Sequence, residues 1–270
     1  GPGQTADYLN SGAWAAKAIK EARLVGQVNV AADCSKEIPT RVPRESELKL
    51  TPGAAYVHLT SNETISGAQW KTFPKTEAPL VADMSSDILS RPFDVRQFGL
   101  IYAGAQKNLG PSGVTLVILR KDLAERAGAK LPTMLKYRTH IEENSLYNTP
   151  PTFGVYMLLL VTRWVLKMGL PALYRRNVEK AAKLYAAIDA SAFYRGTAAK
   201  ECRSDMNVTW RLPNEALEER FVKEASQAGL KQLKGHRSVG GIRASIYNAF
   251  PPEGIDALIA FMREFERKNG

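Results

Sequence analysis

Five short apolar runs recur along the first half of the chain, and they constrain the fold more than any other feature. Each run is bounded by Gly, Pro, Asn, Asp or Ser, and none alternates strongly between apolar and polar residues. Such runs are typical of strands buried on both faces, as in parallel or mixed sheets. The predicted strands cover residues 28–30, 55–57, 80–82, 100–102 and 114–119.

Long helical patterns replace the short runs after Pro150. Helices are predicted over residues 14–24, 152–167, 171–189, 214–228 and 252–268, and two further strands over 206–210 and 242–247. The order of elements indicates an α/β protein, with a large, mostly parallel α/β/α domain over residues 1–170 and a smaller α+β domain over 171–270. Because the chain enters its first predicted helix from a loop, we expect the large domain to be N-terminally incomplete.

The net charge of the chain is +10, from 37 Lys and Arg against 27 Asp and Glu. This balance suits anionic partners such as phosphorylated metabolites, acidic membranes or nucleic acid. No RRM, KH, zinc or helix-turn-helix pattern supports nucleic-acid binding. The most apolar stretch, 153–166, is shorter than the roughly 20 residues that span a bilayer, and Arg163 interrupts it. We therefore expect a buried helix there, and neither a membrane nor a nucleic-acid partner.

The two cysteines and three histidines are scattered along the chain. Cys34 and Cys202 form no CxxC pattern, which fits a reducing, cytoplasmic compartment, although two cysteines can still pair. Scattered thiols and imidazoles lack the ligand spacing of a zinc ribbon or finger, and no metal is predicted.

A lysine follows the predicted strand 100–102, after a run of small residues. Ala103, Gly104 and Ala105 leave space for a flat ligand or a close backbone, and Lys107 comes directly after Gln106. A lysine in this setting can be desolvated, which lowers its pKa and makes its amine nucleophilic. A solvated surface lysine is the ordinary alternative.

An aspartate follows the predicted strand 80–82 and precedes two serines. The Asp83 carboxylate would lie at the carboxyl end of a strand, where α/β folds bind ligands, and can hold a pyridinium nitrogen protonated. A turn or helix-capping role is the alternative. Trp14, on the first predicted helix, can either stack on a planar cofactor or belong to the core.

Two further segments contain groups that bind anions. Residues 234–243 hold three glycines and three cations, and Arg237 and Arg243 can each grip a carboxylate or phosphate in a bidentate fork. A solvated basic loop explains the same pattern. Asn148 and Thr149, ahead of the helix predicted at 152, can donate to an anion or cap that helix.

Taken together, the segments resemble the phosphoserine aminotransferases, class V members of the fold-type I pyridoxal phosphate (PLP) enzymes. The similarity runs from about Thr5 to the end of the chain. It is carried by SGAW at 11–14, SNET at 61–64, DMSS at 83–86, AGAQKN at 103–108, YNTPP at 147–151 and GHRSVGGIRAS at 235–245. The N-terminal portion of that family has no counterpart in this sequence, so we expect the chain to lack it.

The resemblance implies a PLP site and a homodimer. The implied cofactor-binding residues are Trp14, Thr64, Asp83, Gln106, Lys107, Asn148 and Thr149. Lys107 matches the lysine that forms the Schiff base and carries the proton, and Asp83 matches the partner of the ring nitrogen. Asn148 and Thr149 match phosphate ligands that are donated across the dimer interface.

The resemblance also implies the substrates. Arg243 matches the ligand of the substrate α-carboxylate, and His236 and Arg237 match the pair that binds the distal anion. The implied reaction is a ping-pong amino transfer from glutamate to 3-phosphohydroxypyruvate in serine biosynthesis, giving 2-oxoglutarate and O-phosphoserine. A second substrate, in vitamin B6 biosynthesis, is left open. The alternatives are another class V enzyme such as a cysteine desulfurase, which needs a mobile reactive cysteine, and an inactive fragment.

Overall fold

A computed structural model describes residues 3–126 and 131–270. Its strands are β1 Thr5–Asn10, β2 Gln27–Asp33, β3 Val57–Thr60, β4 Asn62–Glu63, β5 Ala68–Gln69, β6 Leu80–Asp83, β7 Phe98–Gly104, β8 Thr115–Leu119, β9 Arg195–Gly196, β10 Asn207–Arg211 and β11 Ile242–Ser245. Its α-helices are α1 Ala13–Ala22, α2 Lys121–Ala124, α3 Tyr137–Glu142, α4 Thr152–Met168, α5 Leu170–Asp189, α6 Glu215–Gln227 and α7 Pro252–Asn269.

The large sheet has six strands in the order β2-β1-β3-β6-β7-β8. The first five of these run parallel, and β8 pairs with β7 in the antiparallel direction. In the register of the sheet, Thr60 lies opposite Asp83, and Asp83 lies opposite Tyr102. The predicted parallel sheet is thereby confirmed, and the carboxyl ends of β1, β3, β6 and β7 meet at one edge.

The expectation of a loop ahead of the first helix is wrong, because strand β1 occupies that stretch. The sequence pattern conceals this strand because it contains Asp7, a charged residue that is fully buried. The Asp7 carboxylate accepts hydrogen bonds from Asn29 Nδ2 at 2.9 Å and from the Thr51 backbone N–H at 2.7 Å. Partners distant in sequence thus satisfy a carboxylate that a local pattern places in a loop.

The buried side chains form clusters on two parts of the chain. One cluster packs under the large sheet around Leu59, Met84 and Ile101. Another lies between the β9–β11 sheet and the helices α5, α6 and α7, around Trp210 and Phe221. We propose that the domain boundary lies between residues 170 and 171. Helix α5 begins at Leu170, and the second cluster lies wholly beyond that point.

Helix α4 is far less buried than its composition predicts. Phe153 is 72% exposed and Leu166 is 80% exposed, and Gly154 and Val165 are its buried residues. The prediction of a buried helix is wrong for this chain, because an apolar pattern favours burial without specifying the surface that covers it.

In the part of the chain that the structure describes, no single helix is long and apolar enough to cross a membrane. Helices α4 and α5 reach that length and composition only as a pair, and they are bent by 90° relative to one another.

A short hairpin, β4–β5, is fixed between the two sheets. Asn62 Nδ2 donates to Ser86 Oγ and to Asn207 Oδ1, both at 2.8 Å, so one amide links both domains. At the hairpin tip, Gly67 has a φ of +75°, and a Cβ there would lie 2.6 Å from Thr209 Oγ1. The hairpin therefore packs directly on β10, with no room for a side chain between them.

Candidate active site

Four segments at the carboxyl edge of the large sheet meet around one cavity. Helix α1 follows β1, the β4–β5 hairpin follows β3, and the remaining two segments follow β6 and β7. The cavity is lined by Trp14, Thr60, Asn62, Thr64, Asp83, Ser85, Ser86, Gln106 and Lys107. Five residues predicted to bind the cofactor are therefore brought together: Trp14, Thr64, Asp83, Gln106 and Lys107. Their separation in sequence is bridged by the parallel strands.

Lys107 is the central group of this cavity. Its Nζ donates to Thr64 Oγ1 at 2.8 Å and lies 5.5 Å from the centroid of the Trp14 ring. Burial lowers the pKa of the Lys107 amine, and the positive charge of Arg243 lowers it further, while the Asp83 charge acts in the opposite direction. The neutral, nucleophilic form of the amine is thus populated at a lower pH than in an exposed lysine.

Asp83 is held in a fixed orientation at the end of β6. Its Oδ1 accepts from the Ser85 backbone N–H at 2.9 Å and from Ser85 Oγ at 2.6 Å. Ser85 Oγ in turn accepts from the Gly104 N–H at 3.0 Å, which ties the turn to β7. The sequence analysis gives Ser85 no role of its own, although an aspartate followed two residues later by serine is typical of a turn closed by the carboxylate.

Trp14 borders the cavity from helix α1. The side chain is 37% exposed, although most tryptophans are strongly buried. Lys17 Nζ lies 4.3 Å from the centroid of the indole ring, within the range of a cation–π contact. An indole in this position presents a flat apolar surface to a planar ligand.

Arg243 approaches the same site from the small domain. It lies on β11, opposite Thr209 of β10, and its Nη1 donates to the Thr64 carbonyl at 3.4 Å. Its Nε is buried and has no hydrogen-bond partner among the residues that the structure describes. The arginine thus keeps a donor for an anionic ligand, since buried donors are normally paired. Thr64 contacts both Lys107 and Arg243.

His236 and Arg237 lie on a tight loop of the small domain, and neither lines the cavity around Lys107. The loop closes through the Gly235 N–H, which donates to the Gly241 carbonyl at 2.8 Å. The His236 Nδ1 and the Ser238 Oγ are 2.7 Å apart, and Arg237 is exposed. The loop therefore offers cationic groups to solvent near the strand that carries Arg243.

Asn148 and Thr149 are exposed ahead of α4 and do not line the cavity either. Asn148 Nδ2 donates to the Thr149 carbonyl at 3.2 Å. Within one chain the structure does not bring these two residues to Lys107. Their contribution across a dimer interface stays a prediction.

Comparison with known proteins places this site in a family. Residues 1–258 match the family described as aminotransferase class-V. The chain therefore belongs to the class-V aminotransferases, and the predicted fold-type I architecture is confirmed by a solved structure that superposes with a TM-score of 0.95. More narrowly, phosphoserine aminotransferases are among its relatives at 54–58% identity.

One such relative, from Niallia circulans, is 56% identical over an alignment of 271 positions that covers 99% of this chain and 75% of that protein. The solved structure is a phosphoserine aminotransferase from Bacillus circulans subsp. alkalophilus, with 55% identity over 99% of this chain and 75% of that one. A PLP-bound phosphoserine aminotransferase from Trichomonas vaginalis superposes with a TM-score of 0.92, at 40% identity over 96% of this chain and 75% of that one. The predicted family is confirmed.

Proposed function

We propose that this chain is a PLP-dependent aminotransferase that moves an amino group from glutamate to 3-phosphohydroxypyruvate, giving 2-oxoglutarate and O-phosphoserine. The observation that carries the proposal is the half-buried Lys107 amine, held by Thr64 beneath the Trp14 ring in a cavity that Asp83 also lines. The relatives named above support the choice of substrates.

The residues of the cavity fit PLP by their chemistry. An amine with a lowered pKa can react with the aldehyde of PLP, and the Asp83 carboxylate can pair with the ring nitrogen. The Trp14 indole can stack on the ring face, and the Gln106 amide can donate to the phosphate. When bound, the cofactor supplies the electron sink that amino transfer needs.

Each residue then has a defined task. Asp83, fixed by Ser85, keeps a proton on the ring nitrogen. The neutral Lys107 amine takes the proton from the substrate Cα and returns it later in the reaction, which is general acid–base work. Thr64 orients the amine through its 2.8 Å hydrogen bond. The same groups serve both half-reactions, as a ping-pong order requires.

We assign the substrate anions to the small domain. Arg243, with its unpaired buried Nε, binds the α-carboxylate that both substrates share. His236 and Arg237, on the exposed loop, bind the phosphate of one substrate and the side-chain carboxylate of the other. Arginine suits both anions because its planar fork pairs with carboxylate and phosphate alike.

We also infer a homodimer with Asn148 and Thr149 contributed across the interface. Pro150 and Pro151 separate these residues from α4, whose exposed apolar side chains include Phe153, Tyr156 and Leu166. Exposed apolar surface of this kind marks protein–protein contacts. Sedimentation of the purified chain should show a dimer, and a monomer at micromolar concentration would contradict this inference.

A cysteine desulfurase is not favoured. Cys34 and Cys202 are both buried, and neither lines the cavity around Lys107. Burial raises the pKa of the Cys34 thiol to about 12, and its Sγ donates to the Arg41 carbonyl at 3.1 Å. A buried thiol of high pKa is a poor nucleophile. Two free cysteines also agree with the cytoplasmic location that we propose.

The decisive test replaces the lysine. With PLP, the purified chain should show a visible absorbance band that shifts on addition of glutamate, and it should form O-phosphoserine. Lys107→Ala should lose both the band and the turnover, because no other amine lines the cavity among the residues that the structure describes. Lys183→Ala is the matched control, since Lys183 pairs with Asp256 on the surface of the small domain. Retained turnover in Lys107→Ala would contradict the proposal.

A further inference from the structure

Helix α1 is capped by a carboxylate from a different element. Its N-cap residue, Gly12, has no side chain with which to cap the helix. Glu63, at the end of β4, supplies the acceptors instead. Its Oε2 accepts from the Trp14 N–H at 3.1 Å and its Oε1 accepts from the Ala15 N–H at 3.0 Å. The first amides of a helix have no partner inside the helix, so this carboxylate satisfies two of them.

The surroundings are shaped to admit this carboxylate. Glu63 is fully buried, although glutamate is among the residue types that are rarely buried without a partner. A Cβ at Gly12 would lie only 2.7 Å from Glu63 Cδ, so glycine leaves the space that the carboxylate occupies. Ser11 Oγ lies 3.5 Å from Glu63 Oε1. The contact therefore depends on residues from both elements.

Glu63 also lies next to the residue that orients the lysine. Thr64 accepts the hydrogen bond from Lys107 Nζ, while Glu63 binds the backbone N–H of Trp14 itself. Two consecutive residues of one hairpin thus contact the lysine and the backbone of the tryptophan. The hairpin is immobilised at its tip by the packing of Gly67 on Thr209.

We propose that Glu63 is a positioning residue, which fixes the N-terminus of α1 and thereby holds the Trp14 indole at the face where the cofactor ring lies. This inference rests on the proposed function, because it assigns Trp14 to cofactor stacking. Glu63 acts through Trp14 and does not itself line the cavity.

The first test measures the contact between Glu63 and the first turn of α1 in the absence of any cofactor. Glu63→Gln keeps the side-chain volume and one carbonyl acceptor, but turns an NH₂ group toward one of the two amides. Amide hydrogen exchange over residues 13–16 should become about fivefold faster, the effect of losing one helix cap. Glu47→Gln is the matched control: its carboxylate accepts from the Arg44 N–H at 2.8 Å, at the start of a 3₁₀ helix that does not line the cavity.

The second test asks whether the effect reaches the cofactor through Trp14. The dissociation constant for PLP, from absorbance titration, should rise about fivefold in Glu63→Gln and stay unchanged in Glu47→Gln. Adding Glu63→Gln to Trp14→Ala should weaken binding little further, because the group that Glu63 positions is already gone. An equal loss in both backgrounds would show a general structural effect and overturn the inference.

The remaining outcomes separate the two proposals. Unchanged exchange over residues 13–16 in Glu63→Gln would overturn the positioning role even if PLP binds. Absence of PLP binding by the unaltered chain would contradict the proposed function and the role that depends on it, whatever the exchange shows. If circular dichroism shows that Glu63→Gln is unfolded, Glu63→Asp replaces it, since that carboxylate is one methylene too short to reach both amides.

Discussion

The cavity around Lys107 and the loop around Arg237 place cationic groups by different means. Around Lys107, side chains from four segments converge at the end of a parallel sheet, and hydrogen bonds fix them. Around Arg237, one exposed loop is closed by glycines and supported by Glu218, whose Oε2 accepts from the Gly241 N–H at 3.1 Å. The sheet edge suits the steps that need fixed geometry, whereas the loop suits anions of two different shapes.

The largest difference that we expect between the two regions is in how the free energy of unfolding depends on pH, with the stronger dependence arising in the large sheet. His58 lies on β3, two residues before Thr60, and is almost fully buried, with its Nε2 and the Tyr102 hydroxyl 3.0 Å apart. Burial lowers its pKa from 6.5 to about 4. Between these pH values the unfolded chain takes up more protons than the folded one, so the free energy of unfolding falls as the pH falls.

The expected loss is about 3 kcal/mol between pH 6.5 and pH 4, measured by urea unfolding. His58→Gln should lack this component. Tyr102→Phe removes the partner but keeps the imidazole, so it should retain the slope. An identical slope in the native chain and in His58→Gln would contradict the prediction and would place the acid sensitivity elsewhere.

Glycine substitutions probe the loop. Gly241 has a φ of +70°, and a Cβ there would lie 2.7 Å from Arg211 Cδ and 2.9 Å from the Trp210 carbonyl oxygen. Gly53 has the same φ with open space around it. Both changes to alanine incur backbone strain, but Gly241→Ala should destabilise the chain by about 2 kcal/mol more, because the backbone oxygen cannot move aside. Equal losses of unfolding free energy in Gly241→Ala and Gly53→Ala would contradict this prediction and show that the loop around Gly241 can relax.

The smallest expected difference is in the KM for glutamate when Arg243 or Arg237 is replaced by lysine. Arg243→Lys should raise the KM for glutamate about thirtyfold, since a half-buried bidentate donor is lost, whereas Arg237→Lys should raise it about threefold, since the exposed site is better solvated. Steady-state kinetics on both variants provides the comparison. A larger effect at Arg237 would reverse the order proposed for the two regions.

The sequence predicts the site best where chemistry follows directly from a strand end. Asp83 and Lys107 both follow short apolar runs, and the geometry of parallel strands then requires them to meet. Strand β1 escapes prediction because Asp7 is typical of a loop, and its hydrogen-bond partners Asn29 and Thr51 are distant in sequence. The sequence pattern therefore indicates helices and strands, but it does not show the distant hydrogen-bond partners that stabilise a buried charge.

Two other residues show the same limit. Glu63 lies 49 residues from Trp14 and 48 from Ala15, so no local spacing connects the carboxylate to the helix that it caps. Phe153, on α4, looks like a core residue because its side chain is apolar, yet the described chain leaves it exposed. In both cases the deciding contact lies outside the element that carries the residue.

Thr64 divides its two contacts between side chain and main chain. Its hydroxyl accepts from Lys107, but its carbonyl accepts from Arg243. Every amino acid has that carbonyl, so a point mutation at position 64 can abolish the lysine's hydrogen bond and still preserve the arginine's. During evolution, the hydrogen bond that Arg243 donates to this carbonyl therefore persists in any sequence that keeps the hairpin. The hydrogen bond from Lys107 instead depends on which side chain selection keeps at position 64.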